Sequence, residues 1–178
     1  MKTFIVSLLG LLVLVAGAAS AEPGFSVGAS AGYAKIEDSD SGFSFDASDT
    51  GYKLFGAYTF ASNFGIEGGY IDFGAPSDNI LGQTGEIDAS GWNLYGVGTI
   101  PLSESFDIFA KAGMISWDAD SRVDGVFVGS DDGNDLALGI GARLNAGRSL
   151  GIRSEFDWFD ISDADSVWML SVGVEFRF

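Results

Sequence analysis

Residues 167–178, Val-Trp-Met-Leu-Ser-Val-Gly-Val-Glu-Phe-Arg-Phe, decide the fold class of this chain. One face of the stretch is apolar at every position and carries Trp168, Leu170, Val172, Val174, Phe176 and Phe178. The alternate positions form a second face that includes Ser171, Glu175 and Arg177. Alternation with a period of two over this length predicts a β-strand with one apolar side.

Seven earlier segments alternate in the same way, so the sequence predicts an all-β domain of eight antiparallel strands. These segments are 25–33, 52–60, 64–70, 92–100, 106–114, 136–145 and 150–158. The abundance of Gly, at 26, and the scarcity of Pro, at 3, agree with strands joined by tight bends. Alternation alone fits a membrane barrel, a soluble sandwich and a lipocalin-like barrel, because each has one apolar strand face.

The lengths of the predicted connections separate these alternatives. Residues 61–63, 101–105 and 146–149 form short turns. The connections at 35–49, 74–89, 117–134 and 160–166 are mostly longer and are rich in Asp, Ser and Gly. This alternation of short and long connections is typical of an up-and-down outer-membrane β-barrel, with periplasmic turns, external loops and both termini on the periplasmic side.

Aromatic residues on the apolar faces are sorted toward the strand ends. The turn side carries Phe25, Phe60, Phe64, Phe106 and Phe178. The loop side carries Tyr33, Tyr52, Tyr70, Trp92, Trp158 and Trp168. Transmembrane barrels carry such lipid-facing girdles at both interfaces, whereas a soluble core would not leave Gly and Ala between two aromatic bands. The girdles and connections together predict an outer-membrane protein.

The first 21 residues predict a secretory signal peptide. Lys2 precedes an apolar run from Leu8 to Val15, and Ala19-Ser20-Ala21 is a small-residue cleavage motif. The run is shorter than the roughly 20 apolar residues of a spanning helix. We therefore expect residues 1–21 to be removed and residues 22–178 to form a single barrel domain.

The composition excludes several classes of function. The formal net charge is −16, from 25 Asp and Glu against 9 Lys and Arg, and a surface this acidic repels nucleic acid. The chain has no His and no Cys. The missing His removes the commonest general base and the usual partner of a Ser nucleophile. The sequence therefore predicts a protein that is not an enzyme and has no cofactor.

The polar strand faces carry five acidic and five basic side chains, which are predicted to face the barrel interior. They are Lys53, Glu67, Asp107, Lys111, Arg143, Arg153, Glu155, Asp157, Glu175 and Arg177. An eight-stranded interior is only wide enough to be filled by side chains, and an unpaired charge there costs several kcal/mol. We therefore predict an interior salt-bridge network. In an alternative interpretation, Glu67 exchanges partners among Lys53, Lys111 and Arg143 and so gates a narrow pore.

Beyond residue 21, nearly the whole chain resembles the OmpA-like superfamily of transmembrane barrels. The resemblance rests on Phe55-Gly56-Ala57-Tyr58 followed by residues 64–70, on Pro101 leading into residues 107–113, and on the closing Phe178. It implies that outer-membrane insertion machinery recognises the C-terminal strand, and it implies no single activity. Full-length OmpA carries a periplasmic peptidoglycan-binding domain after its barrel. Because the sequence ends at Phe178, we expect a barrel-only member.

The acidic connections have two interpretations. Aspartates cluster at Asp118, Asp120, Asp124, Asp131, Asp132 and Asp135, and at Asp38, Asp40, Asp46 and Asp49. Either they bind divalent cations that bridge to lipopolysaccharide phosphates, or they are solvated and repel one another. The second group has the spacing of EF-hand positions 1, 3, 9 and 12, but Phe43 stands where that loop requires Gly, which argues against a specific calcium site.

The leading hypothesis is a monomeric, non-enzymatic outer-membrane barrel in contact with lipid and lipopolysaccharide. It would contribute to outer-membrane structure or present its acidic loops to partners. A small passive pore with a gated, salt-bridged lumen is the first alternative. A soluble, secreted lipocalin-like binding barrel is the second.

Overall fold

The computed structural model describes residues 24–38, 45–61, 63–80, 83–147, 149–162 and 164–178. The strands are β1 Gly24–Asp38, β2 Phe45–Ala61, β3 Phe64–Asp72, β4 Ser77–Ile80, β5 Gln83–Pro101, β6 Phe106–Val123, β7 Val126–Ala146, β8 Leu150–Phe159 and β9 Ser166–Arg177. No helix in these ranges is long and apolar enough to cross a membrane. The predicted signal peptide, residues 1–21, lies outside the described residues.

The strands form one antiparallel sheet that closes on itself. Neighbours follow the order β3-β2-β1-β9-β8-β7-β6-β5-β4, and β3 also pairs with β5. Eight strands thereby complete a ring, which confirms the predicted eight-stranded antiparallel barrel. The short β4 lies outside the ring and extends β5 at its loop-side end, in a register from Ser77↔Glu86 to Ile80↔Gln83.

The pleat of each strand sorts side chains between the two faces of the wall. On β8, Ile152 and Phe156 point outward and are 46% and 40% exposed, while Arg153 and Glu155 between them are 3% and 2% exposed. The same alternation runs along the other wall strands. The apolar face is therefore the outer face of the barrel, and the charged face lines its lumen.

The predicted loop boundaries were wrong in three of the four long connections. β6 and β7 pair from Phe106↔Leu144 to Val123↔Val126, so residues 117–134 are almost entirely strand. The chain reverses at Asp124 and Gly125, which have φ values of 50° and 75°. β1 and β2 likewise pair as far as Asp38↔Phe45, and the β4–β5 hairpin occupies much of 74–89. Alternation detects strands with one apolar face. In these segments the outward face becomes polar and the apolar residues, such as Ile36, Ile87 and Ala119, face inward.

We call the part of β4 to β7 beyond the barrel wall the loop-side extension. It comprises residues 77–80, 83–89 and 118–135. The six residues of β6 from Asp118 to Val123 alone rise about 20 Å at the usual strand spacing. Between β8 and β9, residues 160–165 remain a connection, as predicted.

Candidate functional site in the barrel lumen

All ten charged residues that the sequence assigned to the interior point into the lumen. They come from β2, β3, β6, β7, β8 and β9, and three of them, Arg153, Glu155 and Asp157, alternate along β8. Eight of the ten are buried, whereas the side chains of Arg143 and Arg177, at the turn side, are 16% and 30% exposed. Ion pairs join all ten into one connected network.

The deepest part of the network surrounds two lysines. Lys53 Nζ donates to Glu155 Oε2 at 2.8 Å and to Asp157 Oδ2 at 2.9 Å. Lys111 Nζ lies 2.6 Å from Glu155 Oε2, 2.8 Å from Asp157 Oδ1 and 3.2 Å from Glu67 Oε1. Each buried ammonium therefore contacts at least two carboxylates. Such multiple pairing is what a desolvated charge requires.

Arg153 links this deep cluster to the turn side of the lumen. Its guanidinium lies 2.6 Å from Glu67 Oε2 through Nη2 and 3.5 Å from Glu175 Oε2 through Nη1. The rings of Phe55 and Phe109 flank it, with centroids 4.4 and 4.3 Å from Cζ. A planar, weakly hydrated guanidinium suits a site that combines carboxylates with aromatic faces.

The network ends in a more exposed group at the turn side. Arg143 lies 3.1 Å from Asp107 Oδ2 and 3.1 Å from Glu175 Oε2. Arg177 Nε lies 3.4 Å from Glu175 Oε1, and its Nη2 donates to Asn145 Oδ1 at 2.5 Å. Asn145 in turn donates to Asp107 at 3.0 Å. A polar amide thus completes the pairing where the lumen opens.

The partners of Glu67 differ from those that the pore hypothesis assigned. Glu67 contacts Lys111, as that hypothesis included, but its second partner is Arg153. Lys53 and Arg143 pair with other carboxylates instead. The five acidic and five basic side chains all form ion pairs with one another. Because their numbers are equal, the network is neutral overall.

An apolar plug fills the loop side of the same lumen, and the sequence reasoning did not identify it. Its buried members are Ala34, Ile36, Ile71, Phe73, Ala89, Tyr95, Ile115, Trp117, Ala137, Phe159, Val167 and Met169. Ile71 pairs across strands with Lys53, and Met169 with Asp157, so the plug lies directly on the deep charged cluster. The signal was available: Val167 and Met169 are apolar residues on the otherwise polar face of β9.

Gly139 makes room for the deepest ion pairs. It faces the lumen on β7, where an added Cβ would lie 2.4 Å from Lys111 Cε and 2.6 Å from Asp157 Oδ1. A side chain at this position would therefore displace the two partners of a buried ion pair. Here glycine is required for space rather than for backbone conformation.

In two parts of the lumen the packing or the hydrogen bonding is incomplete. At the boundary between the charged network and the plug, Tyr95 Oη and both side-chain polar atoms of Asn93 are buried and have no protein hydrogen-bond partner among the described residues. At the turn side, a cavity of about 40 Å³ is lined in part by Glu67, Arg143 and Thr99. That volume is enough for a small number of waters.

The residues assigned to the aromatic girdles lie on the outer wall. Phe25, Trp92 and Phe178 are 64%, 68% and 78% exposed. Several of the rings contact one another, including Tyr33 with Trp168 at 5.5 Å. The remaining members also occupy outward positions: Tyr52, Phe60, Phe64, Tyr70, Phe106 and Trp158.

The aspartates predicted to form loop clusters lie mainly on strands. Of the six between 118 and 135, only Asp124 is in a turn. Asp46 and Asp49 lie on β2, whereas Asp40 falls outside the described residues. In the described ranges, no group of three or more acidic side chains is arranged to hold a metal ion. Asp118 and Asp120 share one strand face with Asp132, which lies directly opposite Asp118, while Asp131 and Asp135 lie on the other face of β7.

Arg122 is the single basic side chain of the loop-side extension. Hydrogen bonds to Asp88 and Glu86, both at 3.4 Å, raise the pKa of its guanidinium. The extension otherwise carries Asp78, Glu86, Asp88, Asp118, Asp120, Asp124, Asp131, Asp132 and Asp135.

Comparison with known sequences gives a family match over almost the full chain. Residues 4–178 match the family model described as outer membrane protein beta-barrel domain. Outer membrane protein A of Klebsiella pneumoniae is 29% identical over 140 residues, which are 72% of this chain and 41% of that protein. Its counterpart in Klebsiella aerogenes is 28% identical over 138 residues, covering 74% and 39%. The chain thus spans about two fifths of the length of these curated relatives.

Solved structures share the fold at low sequence identity. Neisserial surface protein A matches with a TM-score of 0.72 at 14% identity, covering 87% of this chain and 97% of that one. The N-terminal β-barrel domain of Pseudomonas aeruginosa OprF gives 0.60 at 14% identity, covering 88% and 100%. Ail, the attachment invasion locus protein of Yersinia pestis, gives 0.59 at 20% identity, covering 88% and 100%.

Proposed function

Because the chain belongs to the outer membrane protein β-barrel domain family, we propose that it is a sealed, non-catalytic barrel that contributes to outer-membrane structure and presents its loop-side extension outside the cell. Membership of this family is incompatible with the soluble, lipocalin-like alternative. The resemblance to OmpA-like barrels is confirmed by the same match.

The observation that carries the proposal is the filling of the lumen at both ends. The turn side holds a neutral network of buried ion pairs, and the loop side holds a plug in which Ile71, Ile115 and Met169 are 0% exposed. An ion crossing this barrel would have to separate buried pairs and then enter an apolar region. Both steps carry a large desolvation penalty.

The same geometry argues against catalysis. The buried carboxylates and cations that could act as acids or bases are engaged with one another, and none faces a cleft large enough for an organic substrate. The cavity at the turn side is far below the volume of roughly 300 Å³ or more at which small-molecule sites begin.

The topology supports an orientation with both termini in the periplasm. Short turns join the strands at one end, and the acidic extension protrudes from the other, which is the usual asymmetry of outer-membrane barrels. In this arrangement the aromatic girdles meet lipid and lipopolysaccharide, and the C-terminal strand is recognised by insertion machinery after removal of residues 1–21. We expect a monomer, because the ring leaves no open strand edge within the wall.

Planar-bilayer recording of the refolded chain tests whether the lumen is sealed. We expect no reproducible unitary steps. Discrete steps that Glu67→Gln or Lys111→Met abolishes or alters would overturn the sealed barrel.

Cell fractionation with surface proteolysis tests the location in the outer membrane and the orientation. We expect cleavage of the extension in intact cells, and its protection there would contradict the orientation.

A gated pore is the second candidate, and the turn-side cavity is the observation that favours it. Glu67 and Arg153 line this cavity, so rearrangement of their pair would lengthen a water path from the turn side. The plug would still have to move. Steps that appear only when a plug residue such as Phe159 is truncated would assign the barrier to the plug.

A further inference from the structure

One edge of the loop-side extension lacks a strand partner. β7 pairs with β6 along its whole upper part, but its pairing with β8 begins only at Ala137↔Phe159, where β8 ends. Residues 126–135 of β7 therefore form a sheet edge above the barrel. No other described strand pairs with this edge.

The backbone groups on the open side can be assigned from the last contact below them. Leu136 O accepts a hydrogen bond from Asp160 N at 2.9 Å on that side. In an antiparallel strand the N–H and C=O of alternate residues point the same way. The groups of Asn134, Asp132 and Ser130 therefore face the open side, and Asp132 N–H is met by the neighbouring Asp131 carboxylate at 3.0 Å.

The edge carries one of the devices that block strand addition, a register shift that leaves Val128 as an extra residue between Gly129 and Phe127. Natural edges are protected by Lys, Pro, strong bulges or covering loops. Residues 126–135 contain neither Lys nor Pro. Val126, Phe127 and Val128 at its tip are 65%, 55% and 59% exposed. The open backbone groups of Ser130 and Asn134 therefore lie below an exposed apolar tip, and the register shift at Val128 separates the two.

Charge determines which strand fits this edge. The extension carries nine acidic side chains against Arg122 alone. A second copy of the chain would bring Asp131 and Asp132 close to identical carboxylates, and like charges on paired strands are destabilising. A strand with basic side chains would instead be attracted, and its apolar side chains would cover the apolar tip side chain on the same face of the sheet.

We propose that residues 126–135 of β7 accept an extended, basic segment of a partner protein as an added β-strand. Main-chain hydrogen bonds would supply affinity, and the acidic side chains would select the partner. The inference rests on the proposed function, because the extension must face the outside of the cell to meet such a partner.

Peptide binding to the refolded full chain tests the proposal. The probe is a labelled peptide of five Lys-Val repeats, with two controls: five Glu-Val repeats, and the Lys-Val peptide N-methylated at every residue so that neither backbone edge can donate. We expect binding of the Lys-Val peptide alone, measured by fluorescence anisotropy and weakened by added salt.

The matched protein variants are Ser130→Pro with Asn134→Pro, and Ser130→Ala with Asn134→Ala. Each proline removes an N–H that does not hydrogen-bond to β6. Each also follows a glycine, which avoids the steric clash between a proline and the side chain before it, so we expect the hairpin to tolerate both. We expect the proline variant to bind about tenfold or more weakly, because two edge hydrogen bonds are lost. The alanine variant should bind like the native chain.

Equal binding by the proline and alanine variants would overturn strand addition, as would equal binding of the N-methylated peptide or no binding of the Lys-Val peptide. Heat-dependent gel mobility verifies that each variant is folded. The assay uses purified protein, so its failure is distinct from a failure of surface proteolysis, which tests the orientation in cells.

Discussion

The two halves of the lumen are filled by opposite kinds of side chain, charged at the turn side and apolar at the loop side. Both are lined by the inward positions of the same strands, and β9 passes from Glu175 and Arg177 at the turn side to Val167 and Met169 at the loop side. The turn half is filled by paired charges. The loop half excludes water with apolar volume.

This difference predicts different responses to substitution. A paired charge stabilises only while its partners remain, so removing one partner leaves uncompensated buried charge. An apolar side chain contributes in proportion to the volume it fills, so its loss is graded. The loss of stability caused by a substitution should therefore differ in size between the two halves. The second substitution that restores stability should differ as well.

Glu155→Gln should give the largest loss of stability, about 3–5 kcal/mol. Glu155 Oε2 receives hydrogen bonds from Lys53, Lys111 and Arg153 at 2.8, 2.6 and 3.0 Å, so neutralising it leaves three cations short of a partner. Urea unfolding in phospholipid vesicles measures the effect. Glu104→Gln, at an exposed turn position, is the control and should change nothing.

Adding Lys53→Met to Glu155→Gln sharpens this test, because it removes one of the unmatched cations. The double variant should be more stable than Glu155→Gln alone. If the second substitution costs as much as it would in the native chain, the pairs act independently and the network interpretation is wrong.

Met169→Ala should cost about 2–5 kcal/mol, the range for truncating a buried Met. Met169 is 0% exposed within the plug, and no hydrogen bond is lost with it. Met169→Leu keeps the volume and should cost less than about 1.5 kcal/mol. Equal costs for the two variants in the same unfolding assay would contradict a plug that acts by filling space.

The sequence predicted the wall well and the lumen only in part. Alternation located the strands. It also placed Lys53 and Glu155 on the inside, because they alternate with the apolar residues of the outer face. The pairing of Glu67 with Arg153 could not be predicted, because cross-lumen contacts depend on strand stagger rather than on sequence spacing. The extension was missed because its outward positions are polar, as at Asp118 and Asp120, while apolar residues such as Ala119 face inward. The plug was missed because a few apolar residues interrupt a polar pattern.

Gly139→Ala should cost about 1–3 kcal/mol, as overpacking does in a well-filled core. The added methyl would press on Lys111 and Asp157, so added volume should destabilise the charged half, though less than lost volume destabilises the plug. Gly96→Ala is the matched control, since it faces outward with its nearest atom 3.8 Å from the new Cβ. A neutral Gly139→Ala would mean that the ion pairs shift without cost.

Tyr95→Phe should have the smallest effect, from no change to a gain of about 1 kcal/mol, because a buried hydroxyl without a partner is a cost that the substitution removes. Tyr95 stands where the two halves meet: its ring packs in the plug and lies 4.5 Å from Lys111 Nζ. Phe retains both contacts. Destabilisation by more than about 1 kcal/mol would show that the hydroxyl is hydrogen-bonded, through water, to the charged network. The boundary would then be a hydrated layer, and the two halves would respond to substitution as one unit.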